Sequence, residues 1–266
     1  MVTLYSASIG IPGKMEDQVR NIFLSFLVMW VAANISPQTM MRIAVPAYAA
    51  GMVLLVGVAL FGIIKLGARR WLHVGIDIQP SEFMKIVTPM MLAWFFQQRV
   101  GQLRWHSYLL AAVLLMTPVL FIVRQPDLGT ALLVVAAGFT VIFLAGLAWK
   151  AIAGLLVLFA ASLPVIWTLL HDYQRERVMT LIDPTSDPLG KGFHIIQSTI
   201  AIGSGGITGK GYMQGTQAYL EFIPERTTDF IFAVFSEEFG LAGNLVLMVL
   251  YLLLIWRGLA IAYATA

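Results

Sequence analysis

The sequence predicts an all-α polytopic membrane protein, a multi-helix transmembrane bundle with one long polar loop, and three observations lead there. Hydrophobic residues make up 59% and charged residues 12% of the 266 positions, against about 45–50% and about 25% in a soluble domain. So little polar surface cannot face water on all sides. The apolar residues are gathered into runs long enough to cross a bilayer. A large share of the acidic groups and a dense run of glycines fall together between 171 and 229, a stretch too polar to cross one.

Taken in order, apolar runs at 19–35, 44–64, 107–123, 128–148, 151–170 and 230–256 supply six helices, each covering most of a ~30 Å core at ~1.5 Å per residue. A seventh is expected near 79–98. Its cleanly apolar part, Ile86 to Phe96, covers only about half the core, so the span must extend back through Lys85 and Glu82. Residues 2–8 read as the tail of another helix, and the chain ends on GLAIAYATA without a polar tail. Both ends are therefore expected to be truncated, and residues 1–266 to form a single transmembrane domain.

Counting alternations puts loops 9–18, 65–78, 124–127 and 171–229 on one face, and 36–43, 99–106, 149–150 and the segment after Trp256 on the other. Lys14, Lys65, Arg69, Arg70 and Arg124 on the first face balance Arg42, Arg99, Arg104, Lys150 and Arg257 on the second. The positive-inside rule thus gives a draw. Either the first face carries extra cations for an anionic ligand, or the rule, being statistical, does not apply. The absence of cysteine removes disulfides, thiolate metal sites and cysteine nucleophiles together. His73, His106, His171 and His194 show no metal-ligand spacing.

Loop 171–229 is long enough to be functional or disordered. Apolar anchors at Phe193, Ile195, Ile196, Ile200, Ile202, Tyr219, Leu220, Phe222 and Ile223 argue for order along a membrane interface. Its glycines, Gly203, Gly205, Gly206, Gly209, Gly211 and Gly215, allow two readings. They let backbone amides approach a phosphate, with Lys210 adding charge, or they make ordinary turns. A nucleotide P-loop is excluded, because Ser204 stands where the first glycine should be and Gly211 replaces the required Ser or Thr.

The loop ends in PERTTDFIFAVFSEEFG, and Asp229 marks the entry of the last complete helix. At 3.6 periodicity Asp229, Ala233, Ser236, Glu237, Gly240, Gly243 and Asn244 share one stripe, small and polar, expected to face other helices or a water-filled cavity. Phe230, Ile231, Phe235 and Leu241 are left to lipid or apolar packing, and Glu238 points away with no partner identified. Intramembrane carboxylates are functional candidates, with a structural pair as the plainer reading. Glu82 and Lys85 form an i,i+3 pair of opposite sign whose role is helix stabilisation or catalysis. Arg124-Gln-Pro-Asp127 reads first as an interface turn with Pro126 opening the next helix.

These residues together resemble the SEDS family (shape, elongation, division and sporulation), and its RodA branch in particular. The resemblance is carried by GARRWLHVG at 67–75, QPSEFMK at 79–85, QPDLGT at 125–130, ERV at 176, DPLGKGFHIIQSTIAIGSGGITGKG, GTQ, and LEFIPERTTDFIFAVFSEEFG at 220–240, which cover most of the chain. GTQ and PERTTDF lean towards RodA over its division relative FtsW. The resemblance implies a peptidoglycan glycosyltransferase of the bacterial inner membrane that polymerises lipid II beside a class B penicillin-binding protein. It implies ten spans, with the long loop outside the cytoplasm. It makes Asp229 the essential carboxylate and Trp71, Glu82 and Lys85 sensitive positions. The start of the first helix and the two C-terminal helices with their PLP and SYGG motifs are missing from this pattern.

Lipid II joins a lipid tail, a diphosphate and a sugar, so its enzyme needs a membrane groove, cations or amides near the interface, and a base at the sugar. Asp229 is expected to deprotonate or position the acceptor hydroxyl as undecaprenyl diphosphate leaves. Arg69, Arg70, Lys210, Arg226 or a divalent cation (Mg or Mn) is expected to meet the developing negative charge, with Glu237 supporting from the stripe. Membrane lipid is a further expected partner and nucleic acid is not. A lipid II flippase and a non-catalytic scaffold for the penicillin-binding protein are the competing readings.

Overall fold

The computed structural model describes residues 2–9, 11–65, 68–170, 172–187, 190–216 and 226–265. Its helices are α1 (Val2–Ala7), α2 (Lys14–Ala33), α3 (Pro37–Phe61), α4 (Pro80–Gln97), α5 (Trp105–Arg124), α6 (Leu128–Leu144), α7 (Trp149–Leu169), α8 (Asp172–Ile182), α9 (Lys191–Ser204) and α10 (Ile231–Thr265). Helices occupy all seven segments in which spans are expected. Among the described residues, four of them are long and apolar enough to cross a membrane: Pro37–Phe61, Trp105–Arg124, Trp149–Thr168 and Ile231–Ala264. The other three fall short for visible reasons. Lys14, Glu16, Asp17 and Arg20 charge the start of α2, Glu82 and Lys85 lower the hydropathy of α4, and α6 has 17 residues.

The chain divides into two compact units, Val28–Ser162 and Met1–Leu27 with Leu163–Ala266. The first unit packs α3, α4, α5 and α6 around Leu55, Met84, Leu92, Phe96, Leu115, Ile122 and Val134. Gly138 lets α6 approach α5 closely, since a Cβ there would lie 2.4 Å from a methyl of Leu115. Helix α3 starts seven residues before the expected 44, because Ser36 accepts from the Thr39 amide as N-cap and Pro37 fits the first turn.

Between α3 and α4 lies a small antiparallel sheet in place of the expected loop, with strands β1 (Ile63–Lys65), β2 (Ala68–Val74) and β3 (Ile76–Ile78) in that order. Gly75, at φ 77°, turns β2 directly into β3, and His73 Nδ1 meets Asp77 Oδ1 across the hairpin at 2.9 Å. The molecule is thus a predominantly helical membrane protein carrying a short sheet.

In the second unit, the described part of loop 171–229 is mostly helical. It holds α8, a 3₁₀ turn at Pro184–Ser186 and α9, whose Ala201 packs on Ala233 of α10 and on Phe230 just before that helix. Of the expected apolar anchors, Ile200 and Ile202 on α9 are exposed, while Tyr219, Leu220, Phe222 and Ile223 lie outside the described residues. The end of α1 packs on α10 through Ala7 and Val234, both fully buried.

Candidate active site

Helix α10 is broken at Gly240, whose φ 61° and ψ −160° belong to a region that only glycine adopts readily. A break of this kind frees the Glu237 and Glu238 carbonyls and the Leu241 and Ala242 amides from their i→i−4 bonds. The glycine run restores all four. Lys210 N–H donates to Glu237 O at 2.9 Å and Gly211 N–H to Glu238 O at 3.1 Å, while Leu241 and Ala242 N–H donate to the carbonyls of Gly206 and Ile207, each at 2.9 Å. Such an approach needs bare backbone, since a Cβ on Gly209 would lie 2.0 Å from Glu238 O. Of the two readings of this run, the one as turns accords with these bonds, because the Gly209, Lys210 and Gly211 amides all donate within the protein.

The same contact fixes two buried carboxylates. Glu237, 0% exposed, accepts from Lys210 Nζ at 2.7 Å and lies 3.1 Å from the Thr216 hydroxyl. Lys210 and Glu237 are thus brought together by the loop, and the lysine's charge is directed at the helix. Glu238, 1% exposed, accepts from the Ser6 hydroxyl and, at 3.1 Å, from the Met213 amide. The partners of Glu238, which the sequence does not identify, thus come from α1 and the glycine loop, far away in sequence. The predicted stripe holds over buried Ala233, Ser236 and Glu237 and loses its phase at the Gly240 break. Beyond it, Asn244 Oδ1 still lies 3.0 Å from the Ser236 hydroxyl.

Asp229 stands outside this stripe. It sits in the turn 226–230 that precedes α10, and it is exposed rather than directed into the bundle, because the backbone becomes helical only at Ile231. Among the described residues its carboxylate has no hydrogen-bond or ion-pair partner. The turn itself is anchored by Arg226, which is buried and donates from Nε to Ala7 O at 2.9 Å and from Nη2 to Ile9 O at 3.3 Å.

The other sequence-predicted residues lie in the first unit. Arg70 donates from Nε to Gln125 O at 3.1 Å and from Nη2 to Pro126 O at 2.7 Å, so it closes the carbonyl end of α5. Asp127, not Pro126, opens α6: it caps the helix by accepting from the Thr130 amide at 3.3 Å, and its other oxygen accepts from Gln79 Nε2 at 2.9 Å. That bond ties QPDLGT to QPSEFMK, two motifs whose bonded residues are 48 positions apart in sequence. Lys85 and Glu82 form a 2.6 Å ion pair whose side chains are 30% and 53% exposed. Trp71 is half-buried in β2, and Arg69 is exposed with one long bond, 3.5 Å, to Ala59 O. Among the described residues, no group of three His, Asp or Glu side chains gathers to hold a metal.

The family of cell cycle proteins comprising FtsW, RodA and SpoVE matches residues 2–266. The peptidoglycan glycosyltransferase MrdB of Escherichia coli (strain K12) is 50% identical over 263 residues, covering 98% of this chain and 71% of that protein. The stage V sporulation protein E of Bacillus subtilis (strain 168) is 39% identical over 217 residues, covering 79% of this chain and 57% of that protein. A solved peptidoglycan synthase complex, described as coordinating polymerization and crosslinking, contains a chain that superposes with a TM-score of 0.75 at 35% identity, covering 99% of this chain and 76% of that one. The rod shape determining protein RodA of Thermus thermophilus superposes at 0.66 with 29% identity, covering 99% of this chain and 70% of that one. With a family match from end to end and half of its residues shared with MrdB, the chain belongs to the FtsW, RodA and SpoVE family.

Proposed function

We propose that this chain is a peptidoglycan glycosyltransferase that polymerises lipid II into glycan strands during cell elongation and shape maintenance, with release of undecaprenyl diphosphate. The observation that carries the mechanism is the state of Asp229, an exposed carboxylate without a partner among the described residues, on a turn fastened by a buried arginine. Asp229 accepts the proton of the acceptor sugar hydroxyl. The freed oxygen bonds to the donor's anomeric carbon as the bond from that carbon to the diphosphate oxygen breaks. The diphosphate leaves with the electron pair and carries the negative charge away; in the unit that holds Asp229, Arg226 donates to carbonyls and Lys210 to Glu237. Identity of 50% to MrdB supports the activity.

The likeness to a synthase complex supports a cross-linking partner, which we assign as a class B penicillin-binding protein. We place the chain in the bacterial cytoplasmic membrane with loop 171–229 on the extracytoplasmic side, where lipid-linked sugar is polymerised. The test is full-length protein incubated with lipid II alone. Glycan strands without a transpeptidase or an opposing leaflet identify a polymerase and exclude a flippase or a silent scaffold. Asp229→Asn should stay folded and lose on the order of 10²–10⁴ in rate. Near-normal polymerisation by that variant would sink the assignment of the base.

A further inference from the structure

We infer that Arg226 is a positioning residue for Asp229, holding its turn against the end of α1, and not a ligand of the diphosphate. The inference rests on the reading of Asp229 as the catalytic carboxylate. Arg226 is 6% exposed, whereas Asp229, three residues on, is exposed. A guanidinium that meets an incoming anion needs an open face, and this one is covered.

The donors of Arg226 also have a defined use. Nε and Nη2 reach the carbonyls of Ala7 and Ile9, at 2.9 Å and 3.3 Å. Carbonyls at a helix end lack helical partners and attract a cation, so two parallel donors on a rigid fork fit them well. That end of α1 is itself held from the side of α10. The Ser6 hydroxyl donates to Glu238, and Ala7 packs on Val234. The end of α1 is thus a fixed post to which Arg226 ties the turn. Because no side chain among the described residues bonds the Asp229 carboxylate, its backbone sets its position there. A misplacement of about 1 Å costs on the order of 10² in rate.

The test compares Arg226→Lys and Arg226→Gln in the full-length protein, with initial rates measured against lipid II concentration. Lysine keeps the charge but not the two-pronged donor. The expected result for both is a kcat reduced roughly tenfold to a hundredfold, with KM for lipid II changed by less than about twofold. In an Asp229→Asn background, Arg226→Lys should lower the rate no further. A raised KM with kcat preserved, or a near-normal Lys variant beside a defective Gln variant, would make Arg226 a charge-dependent ligand and overturn the inference. So would an equal loss with and without the Asp229 carboxylate. Failure of both variants to fold, read by thermal melting in detergent, also overturns it, by making Arg226 a general determinant of the fold. A fully active Asp229→Asn protein removes the underlying reading instead, and it is seen without any Arg226 variant.

Discussion

Lys210 Nζ lies 2.7 Å from Glu237 Oε1, joining a glycine-rich loop to the first half of a broken helix. The carboxylate is fully buried and the lysine side chain is 28% exposed. A backbone bond from Lys210 N–H to Glu237 O runs beside the ion pair, so the same two residues are joined twice.

Removing one partner of this pair should be worse than removing both. Lys210→Met is expected to destabilise by about 2–4 kcal/mol, the figure for a buried pair reduced for the exposed lysine. Lys210→Met with Glu237→Gln should recover most of that loss. Melting temperatures of the wild type, both single variants and the double variant in detergent check this. A loss in the double variant equal to the sum of the two single losses would show that the two residues are not coupled.

Glycine substitutions should separate the break from its surroundings. Gly240→Ala forces a side chain into a conformation that strongly disfavours it, 2.3 Å from Gly209 N. Gly209→Ala meets Glu238 O at 2.0 Å. Each should lose more than about 3 kcal/mol or fail to accumulate. Gly203→Ala, in α9 with nothing within 4 Å of its Cβ, should be neutral or stabilise by up to ~1 kcal/mol. Membrane-extracted yield and melting temperature are the readouts, and a well-folded Gly240→Ala protein would contradict the break.

For Glu82 and Lys85, charge reversal should exceed neutralisation. At 53% and 30% side-chain exposure, the pair contributes roughly 0–1 kcal/mol. Glu82→Gln with Lys85→Gln should therefore keep protein level and stability, and Glu82→Lys should lower both by setting like charges one turn apart. Loss of polymerisation by Glu82→Gln alone, at unchanged protein level and melting temperature, would refute the structural reading.

Arg70→Lys should behave more like Arg70→Ala than like wild type. Both lose the fork that reaches Gln125 O and Pro126 O, and the expected loss is about 1–3 kcal/mol each. Thermal melting measures it, and a lysine variant that melts like wild type would make charge, not the fork, the relevant property.

Much of this was legible in the chain because it is written in local pattern. The apolar runs located seven helices, the i,i+3 spacing located the Glu82 and Lys85 pair, and PERTTDF set Asp229 at the mouth of the last helix. What escaped depends on partners far apart in sequence. Glu238 is bonded by Ser6, 232 positions away, and no periodicity announces that. Strands β1 and β3 have three residues each, too few to show alternation, and β2 sets Arg69 beside Arg70 and Trp71 beside Leu72, which masks it. The helical wheel from 229 to 244 fails at both ends: Asp229 precedes the first helical residue, Ile231, and Gly240, a glycine in a helical segment, breaks the phase for Gly243 and Asn244.

Order of synthesis suits the repair of α10. Residues 206–211 leave the ribosome before 237–242, so the strand that closes the gap exists before the gap is made. Had the order been reversed, the helix would enter the bilayer with the Glu237 and Glu238 carbonyls and the Leu241 and Ala242 amides bare, four groups in all. Each such group costs several kcal/mol in hydrocarbon. The glycine loop can therefore serve as a template in biogenesis, receiving α10 as it is inserted, and variants of that loop should show their damage in newly made chains before any mature protein is assayed.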